Sequence, residues 1–173
     1  MNEGKEVRWR MDGAGAERQA ELERLQGEIR GCVACVAAGF IPEAWPVFRG
    51  HAGLRLMVVG QAPGAASHVA SLPYAGATGK TLEGWLAQAG MPEGALHERF
   101  YLTSLTKCFP GKATGGKGDR APSAREVALC GAHLAREIAV VRPEIVVSLG
   151  RLAANALCRE TRGLPLAEIV GRT

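Results

Sequence analysis

Between residues 16 and 30, Leu22, Leu25 and Ile29 recur among charged residues at intervals of three and four, the spacing of an amphipathic helix that runs out at Gly31. A loop rich in Pro, Gly and aromatics follows. Leu54 to Val59 (LRLMVV) is then an apolar run ending at Gly60, which reads as a buried strand. Residues 60–80 are punctuated by Gly and Pro and read as a loop at that strand's carboxyl end. Leu82, Trp85, Leu86 and Ala89 fall on one side of the next helix, which stops at Gly90 with Pro92 just beyond. Phe100 to Leu105 reads as a second strand. Ser123 and Glu126 have the spacing of a capping box, and they open a helix with a buried stripe of Val127, Cys130, Leu134, Ile138 and Val141. Pro143 ends it. Glu144 to Leu149 reads as a third strand, turning at Gly150 into a helix that carries Cys158.

Strands alternating with helices predict parallel pairing and an α/β fold: three layers, α/β/α, around a central, mostly parallel sheet. Such sheets bind ligands beyond the carboxyl ends of their strands, where the GQAPG loop, the TKCFPG segment and the LGR turn emerge together. The 173 residues, 47% hydrophobic and 22% charged, suit one compact domain over 15–173, preceded by a frayed or disordered stretch over 1–14. No apolar run approaches the roughly 20 residues needed to cross a bilayer, and the charged N-terminus lacks the apolar centre of a secretory signal. These features point to the cytoplasm, where thiols stay reduced, and away from a membrane.

The net charge of +4 is compatible with a polyanionic partner without requiring one. Four cations, Lys107, Lys112, Lys117 and Arg120, share one glycine-rich stretch opposed within it only by Asp119. Taken alone, that stretch reads as a solvated loop ahead of a phosphate-contacting one. Five cysteines in a reducing compartment carry more information. Cys32 and Cys35 form a C-x-x-C, with Cys108 and Cys130 far downstream, an arrangement that suggests a metal site more than disulfides. Four thiolates suit a cubane iron–sulfur cluster or tetrahedral zinc, and the spacing does not separate the two. Cys158, in the apolar stretch RLAANALC, reads as a buried free thiol. Gly79-Lys80-Thr81 ends like a P-loop, but the first glycine of that motif would fall on Tyr74 and the preceding strand ends too early, so ATP binding is set aside.

The order of pieces resembles the iron–sulfur uracil-DNA glycosylases of the family 4 and family 5 type. These pieces are C-x-x-C, an apolar strand running into G-Q-A-P-G, P-Y-A-G before a helix, Y-L-T-S-L-T-K-C-F-P-G, a helix with one Cys, and R-P-E-I-V-V-S-L-G-R. The likeness covers roughly Cys32 to Asn155. It implies a uracil-DNA glycosylase-like fold and a monomeric DNA-repair enzyme that hydrolyses the N-glycosidic bond of uracil or a related deaminated base in DNA. By the same resemblance, Cys32, Cys35, Cys108 and Cys130 are the ligands of a [4Fe–4S] cluster, with zinc the alternative. Gln61 is the catalytic polar side chain. Gly60, Ala62, Pro63 and Gly64 are its substrate-contacting neighbours, Tyr74 stacks on the extruded base, and Ser104 contacts the base edge. Lys107, Lys112, Lys117 and Arg120 are the candidate DNA contacts.

Three positions depart from the pattern. Ala62 stands where some families carry an acid, which argues for catalysis by positioning and electrostatic stabilisation. Ser104 replaces a uracil-reading asparagine and cannot present the amide's paired donor and acceptor. A His-Pro-Ser-like motif is expected after the LGR helix, yet none of His51, His68, His97 and His133 is followed by Pro or lies beyond Gly150. The expectation is therefore a C-terminally truncated chain that cleaves uracil-DNA poorly or not at all. A competing reading is a non-catalytic nucleic-acid-binding module with a structural four-cysteine metal site. A thiol redox role for Cys32 and Cys35 is disfavoured, because these cysteines follow a helix instead of opening one after a strand.

Overall fold

A computed structural model describes residues 13–170. Helix α1 (Gly13–Arg30) buries Leu22, Leu25 and Ile29, the stripe read from the sequence, and begins three residues earlier than that stripe predicts. Residues 1–12, most of the stretch expected to be frayed, lie outside the described residues. A short helix α2 (Ala34–Ala37) carries Cys35. Strand β1 (Leu56–Gly60) leads into helix α3 (Ala65–Ala70), a regular element within the segment expected to be loop. Helices α4 (Ala77–Gln88) and α5 (Ala95–Arg99) precede strand β2 (Phe100–Ser104). Helix α6 (Ala124–Val141), strand β3 (Ile145–Ser148), helix α7 (Arg151–Leu157) and helix α8 (Leu166–Ile169) complete the order.

All strand pairs are parallel, in the order β2-β1-β3, with Leu56 level with both Phe100 and Ile145. The two-residue period of a strand sends alternate side chains to opposite layers. Met57, Val59 and Tyr101 pack with Leu22, Leu25, Leu134 and Val141 of α1 and α6, whereas Val58, Phe100 and Leu102 pack with Leu82 and Leu96 of α4 and α5. This is the three-layer α/β arrangement the alternation predicted. The capping box also forms: Ser123 Oγ accepts the Glu126 N–H, and the Glu126 carboxylate accepts the Ser123 N–H.

Two side chains correct the sequence reading. Trp85, expected on the buried side of α4, is 59% exposed, because Leu82 and Leu86 alone supply that helix's packed seam. Cys158 is exposed, not buried: α7 ends at Leu157, the chain turns extended, and the thiol reaches Glu160 at 3.0 Å. β3 is the sheet's margin, with Ile145 56% exposed and Val146 and Val147 partly so. Among the described residues, no helix is long and apolar enough to cross a membrane.

Candidate functional site

The carboxyl ends of all three strands open into one cleft of about 800 Å³, lined by the loop Gly60–Gly64, by Thr103 and Ser104, and by Leu149 and Gly150. The cleft follows from the parallel sheet: every strand points its free end the same way, and the chain leaves each end through a Gly- or Pro-rich turn. The loop after β1 is held from β2, because Leu105 N–H donates to Gly60 O (2.9 Å) and Thr106 N–H to Gln61 O (3.3 Å). The Gln61 backbone is thus fixed while its exposed side chain lines the cleft. Ser104, buried at the end of β2, lines the same cleft.

Tyr74 enters the cleft from the segment before α4 with φ 58°, a left-handed conformation that an aromatic residue rarely adopts. Two glycines make room for it. A Cβ on Gly60 would lie 2.9 Å from the Tyr74 hydroxyl, and one on Gly79 would lie 1.7 Å from the Tyr74 carbonyl oxygen. The requirement for Gly79, which sequence alone could assign only to a failed P-loop, is therefore steric. The Tyr74 hydroxyl donates to Thr103 O at 3.4 Å, and burial pushes its phenol well above the ordinary value, so it stays protonated.

A second recess lies behind β2. Cys32, Cys35, Cys108 and Cys130 all line it, brought together from the end of α1, from α2, from the segment after β2 and from α6. Burial pushes the Cys35 and Cys130 thiols up and Cys108 to about 11, with the neighbouring sulfurs adding to the effect. The backbones of Trp45 at Cys108 and of Lys107 at Cys130 act against that rise. His133, one turn beyond Cys130, lines the same recess, and its Nδ1 is buried without a hydrogen-bond partner among the described residues. No three His, Cys, Asp or Glu side chains among the described residues converge at the spacing of a single metal ion.

The cationic stretch divides. Lys107 is 2% exposed and its Nζ lies 2.7 Å from Oε2 of Glu137, itself fully buried, so Lys107 is excluded as a DNA contact: it cannot reach solvent. Sequence reading missed Glu137 altogether, because a carboxylate on a helix reads as surface unless its partner is known. Tyr101 Oη donates to Glu137 Oε1 (2.9 Å), Thr103 Oγ1 donates to Oε2 (3.0 Å), and Lys107 Nζ donates to Thr103 Oγ1 (2.8 Å) and Ser104 O (2.6 Å). Arg120 makes a two-pronged pair with Glu126 (2.7 and 2.8 Å) and also donates to Phe40 O. Lys112 and Lys117 remain exposed on a hairpin closed by Lys112↔Asp119 bridging. That hairpin is tied to the cleft, since Asp119 Oδ1 accepts from Lys112 (2.7 Å) and Oδ2 from the Ala65 N–H (2.9 Å) at the start of α3.

The profile of the uracil DNA glycosylase superfamily matches residues 48–172, a span that includes the β1 loop, Tyr74, the end of β2 and β3. The chain belongs to the uracil-DNA glycosylase superfamily. It is 31% identical over 137 residues to a type-4 uracil-DNA glycosylase of Pyrobaculum aerophilum, covering 79% of this chain and 64% of that one. With the type-4 enzyme of Archaeoglobus fulgidus it shares 31% over 138 residues (78% and 62% of the two chains), and with that of Thermotoga maritima 26% over 138 residues (80% and 66%). The chain therefore spans just under two thirds of the length of these curated relatives. The matched span holds the Gly60–Gly64 loop, Tyr74 and Ser104 that line the cleft, and the cysteine recess adjoins the segment after β2.

Proposed function

We propose that this chain acts in DNA repair as a uracil-DNA glycosylase-type hydrolase, removing uracil or a related deaminated base from DNA by cleaving its N-glycosidic bond. The observation that carries the proposal is the joint lining of one cleft by Gln61, Tyr74 and Ser104, on a chain of this superfamily. The substrate base leaves its stack and enters this cleft. Tyr74 offers a ring face, worth about 1–3 kcal/mol for a stacked base, and its strained backbone fixes where that face lies. Ser104 offers one hydroxyl to the base edge. Gln61 and the adjoining Gly60, Ala62, Pro63 and Gly64 hold water near the sugar and present polar groups to charge developing on the departing base. With Ala62 where an acid could stand, that loop stabilises charge and orients water without a carboxylate base. Lys112 and Lys117 supply the phosphate contacts from the hairpin, with Arg120 bracing its base through Glu126.

Cys32, Cys35, Cys108 and Cys130 are the proposed ligands of a [4Fe–4S] cluster, which supplies a structural tie between α1, α6 and the segment after β2. Their chemistry fits it: all four thiols line one recess, and the His133 Nδ1 beside them lacks a partner among the described residues. Zinc, which would draw the four sulfurs to about 2.3 Å from a single ion, is the alternative. The protein works as a cytoplasmic monomer on this reading. The test is direct: purified protein is assayed for iron, sulfide and release of uracil from single- and double-stranded oligonucleotides. Iron with uracil release abolished in Gln61→Ala supports the proposal; metal-dependent DNA binding with no base release from any deaminated substrate leaves a nucleic-acid-binding module instead.

A further inference from the structure

Lys107 touches both the cysteine recess and the floor of the cleft. It lines the recess beside Cys108 and Cys130, and its ammonium donates to the Ser104 carbonyl oxygen at 2.6 Å. Between those ends, Leu105 and Thr106 donate their N–H groups to Gly60 and Gln61 of the catalytic loop. Residues 104–108 are thus tied to the recess at one end, to the cleft at the other, and to the Gly60–Gln61 loop along the way. Glu137 removes the slack: held by Tyr101 and Thr103, it fixes the ammonium 2.7 Å away. An apolar pair of similar volume generally serves stability as well as a buried ion pair does, so stability alone does not account for this one. Its geometry accounts for it better. The ammonium grips a main-chain oxygen at the cleft, and the same residue's peptide runs directly into Cys108 at the recess.

Resting on the glycosylase reading above, we infer that Lys107, braced by Glu137, is a positioning residue through which filling of the cysteine site sets the geometry of Ser104 and the Gly60–Gln61 loop. Drawing the four sulfurs around a cluster would fix Cys108, hence the adjoining Lys107 peptide, hence the strand end that its ammonium grips. Coupling of this kind is reciprocal, so a bound base must tighten retention of the cluster by the same factor.

The test compares amide hydrogen exchange at Leu105 and Thr106 in iron-loaded and iron-stripped protein. Exchange is expected to be about tenfold slower in the loaded form, within the usual span of such couplings. In the double variant Lys107→Met/Glu137→Leu, the visible spectrum of the loaded protein is retained and the exchange difference disappears. Should that variant not fold, Thr103→Val, which removes one of the oxygens gripping the ammonium, must shrink the difference. Equal exchange in loaded and stripped wild type, a protein that takes up no iron, or a difference preserved in the variants overturns the inference. A parallel titration with a single-stranded oligonucleotide carrying a cleavage-resistant 2′-fluorinated deoxyuridine separates the two claims. If the exchange difference is present and the oligonucleotide is not bound, the coupling stands and the glycosylase reading falls.

Discussion

The Tyr74 hydroxyl rests against Gly60, so closely that a methyl group at Gly60 would stand 2.9 Å from it. The Gly60–Gly64 loop and the Tyr74 ring, proposed above to hold water at the sugar and to stack on the base, therefore share one steric constraint, although 14 residues separate Gly60 from Tyr74. Gly60→Ala is expected to push the ring out of place and weaken binding of a uracil-containing oligonucleotide about tenfold, the equivalent of roughly 1.4 kcal/mol. Thermal stability should fall only modestly, because the obstacle is the end of a side chain. Titration and calorimetry on the same preparation check both parts; unchanged affinity would remove Tyr74 from the base pocket.

Gly79→Ala is a harsher change, since its Cβ would meet the Tyr74 carbonyl oxygen at 1.7 Å and backbone must move. A loss of about 3 kcal/mol is expected, at the upper end for an inserted methyl group. Chemical denaturation measures it. Lys80→Ala, one residue on and exposed, should cost nothing measurable.

Glu126 predicts a pH dependence. The paired Arg120 guanidinium, aided by the Ser123 N–H, holds its carboxyl near 2, below the ordinary 4.5. A carboxyl that loses its proton more readily in the folded state favours folding above pH 4.5. That contribution, about 3 kcal/mol, drains away as the pH falls towards 2. Urea midpoints between pH 6 and pH 2.5 should fall steeply in the wild type and less steeply in Glu126→Gln.

Lys107 and Glu137 should behave as a unit. Removing either alone leaves a buried charge and is expected to cost about 3–5 kcal/mol, whereas Lys107→Met with Glu137→Leu should cost far less than the sum. A double-mutant cycle by denaturation gives the coupling; additive losses would mean that water reaches the pair.

Asp119 anchors the hairpin to the start of α3, so Asp119→Ala should free it. Trypsin is expected to cut after Lys117 several-fold faster in native buffer, with the melting temperature little changed. Equal cutting would show that the glycine-rich turn opens regardless of its tie.

What the sequence disclosed and what it concealed divide along physical lines. Ser123 and Glu126 announced a helix start because a capping box acts over three residues. The unbroken apolar run Leu54 to Val59 announced a buried strand, and β1 is packed on both faces. The C-x-x-C with two distant cysteines suggested a metal site, and the resemblance named all four as its ligands, although nothing local joins Cys32 to Cys130. Lys107 was misread for the opposite reason: it sits among exposed cations in sequence, while the carboxylate that buries it lies 30 residues on, on a helical stripe dominated by apolar neighbours. Trp85 misled because helical spacing reports a face without reporting whether anything covers it.

The margin of the sheet has a practical bearing. Among the described residues, β3 pairs only with β1, so its far side carries unsatisfied N–H and C=O groups beside Ile145, Val146 and Val147. No lysine or proline within β3 blunts that border. An adhesive flank of this sort can zip onto any extended peptide, and at high concentration the readiest peptide is another molecule's equivalent flank. Self-association of the isolated chain is therefore expected along β3, whose carboxyl end opens on the cleft, and a single charge placed at Val146 is the natural remedy.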